Sequence, residues 1–185
     1  MSIHDEINAR VAEGRLFGLT PSMTGDAVRR HMFVSQEIQS LIGGPWPSQT
    51  AETRGFQLRA ELETYVRGDQ IGICLIPFKA GKAEMGRLYR PADEVWDFRA
   101  MRKPGLRVFG RFSERDVFVA LTCWPRSVAI SWIDRPPLLA RDSRQFSDAI
   151  NGCKTEWRKL FHTYQPVSGG QASDYISEKF DVVGD

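Results

Sequence analysis

Apolar positions along this chain follow two rhythms. In residues 1–47 the spacing is helical: Ile3, Ile7 and Val11 recur every four residues, and Val28, Met32, Val34, Ile38, Leu41 and Ile42 continue it. Gly18–Ser22 and Gly43–Pro47 punctuate this stretch as turns, so a helical extension is expected. From Thr50 to Arg67, Leu58, Leu62 and Tyr65 form a helical stripe, with Ser48 or Thr50 as cap and Gly68 as stop. Ile71–Phe78 then reads as a short buried strand.

The period changes to two after Asp93. Glu94–Arg99, Leu106–Ser113, Asp116–Cys123 and Ser127–Ile133 are strand-like runs, separated by breaks at 102–105, 113–115 and 124–126. Breaks this short force antiparallel neighbours, which predicts a meander. Pro136–Pro137 ends that region. A second helical stripe follows: Phe146, Ala149, Ile150, Cys153, Trp157, Leu160 and Phe161, with Ser143 as cap. The tail passes Pro166, and two outcomes are expected of it: a return to the body through Tyr175, Ile176 and Phe180, or partial disorder.

These patterns predict an α+β chain forming one domain over 1–185. Residues 1–47 form a helical extension, 48–133 a helix plus antiparallel sheet, and 134–185 a long C-terminal helix and tail. The central antiparallel sheet, built from 71–78 and 94–133, is expected to pack against helices 50–67 and 143–162. Alternation along a strand puts Leu106, Val108 and Phe112 on one face, the surface expected to receive the helices. Arg107, Phe109 and Arg111 share the other face, where Arg99 can join them across the 102–105 turn.

Charge sharpens this picture. The net charge of the 185 residues is only +2, but residues 71–170 hold 17 basic and 10 acidic side chains, and residues 171–185 hold 1 and 4. Phe98–Ser113 carries Arg99, Arg102, Lys103, Arg107 and Arg111 with no acid. Guanidinium groups fit phosphate, so this face is a candidate anion or nucleic-acid surface. Asp97, Glu114 and Asp116 are the carboxylates that could satisfy the arginines internally instead. A hydrophobic share of 42% and a charged share of 26% suit a folded protein. No apolar run reaches the roughly 20 residues of a membrane span, and no signal peptide is visible, so a cytoplasmic location without membrane association is expected.

Familiar chemistries find little support. His4, His31 and His162, with Cys74, Cys123 and Cys153, show no metal-ligand spacing, and no cofactor is expected. There is no phosphate-binding GxxxxGK[ST] loop, no GxSxG elbow and no GxGxxG after a strand. Glu94 and Asp97 fall on opposite faces of one strand, which disfavours a paired-acid site.

Glu94-Val-Trp-Asp-Phe-Arg99, Gly105-Leu-Arg-Val-Phe-Gly-Arg111 and Asp116-Val-Phe-Val-Ala-Leu121 together resemble the sheet of RelE/HigB-type toxins, over residues 51–126. The resemblance implies a compact antiparallel sheet with helices on one face. It also implies metal-independent cleavage of messenger RNA by Arg, Lys, His or Tyr side chains, and membership of a toxin–antitoxin pair. On that reading Arg99, Arg107, Arg111 and Arg126 contact RNA phosphates. His162 and Tyr89 are the candidates for the acid and base that a metal-free ribonuclease needs. The expected partner is RNA or another polyanion. The competing expectation is a non-enzymatic protein-interaction module of phage or mobile-element origin, using the same sheet and its exposed aromatics on a protein partner.

Overall fold

A computed structural model describes residues 2–140 and 143–184. Four α-helices flank a single eight-stranded sheet: α1 Ile3–Ala12, α2 Gln36–Gly43, α3 Gln49–Arg67 and α4 Arg144–Phe161. The strands are β1 Leu16–Gly18, β2 His31–Ser35, β3 Ile71–Cys74, β4 Met85–Arg87, β5 Trp96–Ala100, β6 Leu106–Glu114, β7 Val117–Pro125 and β8 Phe180–Val182. Their order across the sheet is β1-β2-β7-β6-β5-β4-β3-β8.

The expected antiparallel meander is present only at the centre, where β4 through β7 pair antiparallel. The sheet as a whole is mixed, because β2 joins β7 in parallel and β3 is parallel to both β4 and β8. The purely antiparallel sheet is thus corrected to a mixed one. The N-terminal segment is corrected too, since it donates β1 and β2 to the sheet rather than helices alone. Ser127–Ile133 forms no strand. Both edges of β7 are already taken by β6 and β2, so a strand there would have no ladder to join. Ile130 and Ile133 pack into the core as loop residues instead.

The two long helices form where their stripes predicted. Ser48 Oγ accepts from Ala51 N to cap α3, and Gly68 closes it in the left-handed region at φ 74°. Ser143 Oγ accepts from Phe146 N at 3.2 Å to start α4. They do not share one face of the sheet, however. Leu58, Leu62, Tyr65 and Val66 of α3 pack with Leu106, Val108 and Phe112. Phe146, Ala149, Ile150, Cys153 and Trp157 of α4 pack with Phe109, Val119 and Leu121 on the opposite side. The arginine face therefore lies beneath α4 and is not an open surface.

The tail returns across the body. Val167 N donates to Phe112 O, and Asp116 N to Tyr175 O, each at 2.8 Å. The Tyr175 ring lies 4.6 Å from Trp96, and its hydroxyl donates to Glu94 Oε2 at 2.7 Å. Among the described residues no helix is long and apolar enough to cross a membrane.

Candidate functional site

Strand register brings the arginines together. Arg99 and Arg107 are direct partners across the β5–β6 ladder, where like charges repel. Asp97 relieves that repulsion from the same face, accepting from Arg99 Nε at 3.2 Å and from Arg107 Nη1. All three are buried, with Asp97 at 0%, Arg99 at 2% and Arg107 at 5% exposure. Arg126, which follows β7, is held below the usual arginine pKa by partial burial and then by the charges of Arg107 and Arg99. It makes no ion pair among the described residues, and its Nη1 meets Met101 Sδ. One carboxylate thus serves three guanidinium groups, leaving positive charge uncompensated.

Donors are left over as well. Arg99 Nη1 donates to the carbonyls of Gly81 and Ala83 at 3.3 and 3.4 Å, and its Nη2 makes no hydrogen bond among the described residues. Gly86 makes room for it: a Cβ there would stand 2.8 Å from Arg99 Nη2 and 3.0 Å from Asp97 Oδ1. Arg107 Nε is buried with no partner among the described residues.

Arg99 lines a cleft of about 220 Å³ between the first half of α4 and residues 78–89, with Ala80, Leu88, Phe146 and Ile150 among its walls. Phe78 and Tyr89 border it, 52% and 58% exposed, with ring centroids 5.7 Å apart. A second hollow shares Tyr89, Ser147 and Ile150 and continues along α4 past Arg90, Asn151 and Lys154.

The expected site residues separate into two groups. Arg99, Arg107 and Arg126 form the cluster, and Tyr89 borders the cleft that Arg99 lines. Arg111 stands apart, its guanidinium 5.4 Å over the Trp157 ring and Nη2 donating to Asp93 O. Burial lowers its pKa, and its Nε has no partner among the described residues. His162 is exposed at the C-terminal end of α4, and about 18 Å of helix axis separates it from Ile150 beside Tyr89. The two candidates for acid and base are not brought together. Among the described residues Glu114 and Asp116 make no ion pair with the arginines, and Asp116 Oδ1 instead accepts from Ser177 N.

Sequence reasoning passed over Phe78, Gly86 and Arg54. Phe78 carried a usable signal, an aromatic next to Pro77 that leads into the Lys79–Lys82 turn. Gly86 and Arg54 carried none, because their roles depend on neighbours distant in sequence.

The surroundings add to the positive field. Along α4, Phe146 lies over Arg107 near the start of β6, and Trp157 lies over Arg111 further along it. On the other face Arg54 Nε donates to Pro104 O, and Tyr65 reaches Phe118. Both long helices therefore begin at the end of the sheet formed by residues 101–105, and their positive dipole ends converge there. Arg54, Arg99, Arg102, Lys103, Arg107 and Arg126 stand at this end. Asp97 and Glu61 answer them from within, and Glu52 and Asp148 lie exposed on the helices. Among the described residues no three His, Cys, Asp or Glu side chains are grouped to hold a metal ion. No known protein family, curated protein or solved structure matches this chain.

Proposed function

We propose that this protein binds nucleic acid at the end of the sheet where α3 and α4 both begin. The observation that carries the reading is the arginine trio Arg99, Arg107 and Arg126, served by Asp97 alone and flanked by two positive helix ends. Arg99 Nη2 offers a donor in the cleft, and the exposed Arg102 and half-buried Arg126 present charge to a passing backbone. Phe78 and Tyr89, which border the same cleft as Arg99, supply ring faces of the kind on which unpaired bases stack. This is a reading of binding. A cleavage step is not assigned, because His162 and Tyr89 stand at separate places along α4.

The contact geometry differs from an open arginine face. Arg107 lies under α4, so it supports the charge of the site from beneath rather than touching phosphate across a flat sheet, and Arg111 stands apart from it. Fluorescence anisotropy with a short single-stranded RNA tests the reading. The Arg102→Glu/Arg126→Glu double variant should bind at least tenfold more weakly, whereas Arg115→Glu, on the β6–β7 turn at the other end, should bind like the parent. Equal affinity in all three proteins would refute the assignment.

A further inference from the structure

The polar groups around the Arg99 cleft are one-sided. Ala80, Leu88, Phe146 and Ile150 give the cleft apolar walls, and Phe78 and Tyr89 stand at its border. Its volume of about 220 Å³ is below the roughly 300–1,000 Å³ of sites that enclose a whole small ligand. A space of that size suits one flat ring of a longer molecule.

Arg99 is 2% exposed, with Nε committed to Asp97 and Nη1 to the carbonyls of Gly81 and Ala83. Among the described residues Arg107 Nε and Arg111 Nε lack partners and are cut off from water, whereas Arg99 Nη2 lacks a partner and is not cut off. It stands above Gly86, where an added Cβ would lie 2.8 Å from Nη2 and 3.0 Å from the Cβ of Ala80, another wall of the cleft. A guanidinium only donates. The oxygens of Asp97 are taken by Arg99 and Arg107, and no carboxylate borders the cleft among the described residues. Arg87 also borders it, but its guanidinium is held by Leu75 O and Gly169 O. The hydroxyls of Ser147 and Tyr89 can donate or accept, so they do not discriminate between ligands.

We propose that this cleft selects, within a bound single strand, an unpaired base carrying a keto oxygen: guanine or uracil rather than adenine. The inference rests on the nucleic-acid reading and names what that site distinguishes. Guanine presents two adjacent acceptors, O6 and N7, and uracil presents O4, whereas adenine sets an amino group beside N7. A keto oxygen meets Arg99 Nη2 in a charge-assisted hydrogen bond, within the positive field of Arg99, Arg107 and Arg126. The adenine amino group instead brings donors to a donor and finds no carboxylate to accept them. Leaving those donors unsatisfied against apolar walls costs free energy that a keto base avoids. Reading the edge of a splayed-out base is the general mode by which single strands are told apart.

Fluorescence anisotropy with two short RNA strands tests this. One is adenosine throughout; in the other a central adenosine is replaced by inosine, which exchanges the 6-amino group for a keto oxygen. The parent protein should bind the inosine strand about fivefold or more tightly than the adenosine strand. Arg99→Gln leaves Asp97 paired with Arg107 and removes the like charge across the ladder, so the variant should fold. Its amide both donates and accepts, and the preference should disappear. Ser147→Phe, at an exposed position of α4, puts a ring into the cleft and should abolish the preference independently of Arg99. Equal affinity of the parent for the two strands, with both weakened in Arg102→Glu/Arg126→Glu, overturns this inference and leaves the nucleic-acid reading standing. Binding of neither strand overturns both. A preference of full size in Ser147→Phe shows that the base is read elsewhere and also overturns the inference.

Discussion

Asp97 is the residue on which the arginine cluster depends. Its removal leaves Arg99 and Arg107 facing each other across a ladder with no counter-charge, and breaking a buried pair costs about 3–5 kcal/mol. Asp97→Asn should lose stability on that scale in urea denaturation. Because an anion can replace the lost charge, added phosphate should stabilise the variant more than the parent. Tyr175 offers a pH test. Burial, and then its hydrogen bond to Glu94, push its ionisation up from near 10 to about 12. The folded protein thus holds this proton more tightly than the unfolded chain does. Its contribution is complete below pH 10 and is lost as pH rises toward 12. Tyr175→Phe should flatten that part of the stability profile. Strand parity alone placed Arg107 and Arg111 on one face and foresaw that Asp97 could satisfy arginines internally. Their burial was not legible, because it depends on α4, far away in sequence.

At the scale of elements, what was readable was what is local. The stripes of α3 and α4, their serine caps and the β5–β7 hairpins declare themselves within a few residues. Tyr175 and Ile176 also return to the core, as their apolar character suggested. The missed strands are of two kinds: β2 and β8 have remote partners, β7 and β3, and β1 and β4 are three residues long, too short for alternation to show. In 28–42 a five-residue strand with alternating burial runs straight into α2, so apolar residues of two periods merged into one apparent helix. Two glycines show how the packing around an element decides a substitution. A Cβ at Gly110 in β6 would stand 2.3 Å from Val119 O and 2.5 Å from the Phe118 ring, so Gly110→Ala should cost about 3 kcal/mol through overpacking. Gly152 within α4 has nothing within 4 Å, so Gly152→Ala should stabilise by about 1 kcal/mol through helix propensity. Urea denaturation of the two variants should show opposite signs.

At the scale of the whole molecule the proposal concerns one end of the sheet. The 101–105 end gathers the arginine trio, Arg54, Lys103 and two helix N-termini. The tail crosses from the other end, where Asp116 N meets Tyr175 O and Arg30 Nη2 meets Glu178 O at 2.5 Å, to the sheet edge, where Asp181 pairs with Gly72 of β3. A net charge of +2 gives no hint of this local group, whose positive field is the feature the proposed binding uses. The most direct test of nucleic-acid binding at that end is the salt dependence of affinity for a single-stranded RNA. Neutralising about three phosphates, with Arg99, Arg102 and Arg126, predicts a slope of log affinity against log salt near −2, falling toward −0.7 in Arg102→Glu/Arg126→Glu. A slope near zero in the parent protein, or the same slope in both, would contradict the account.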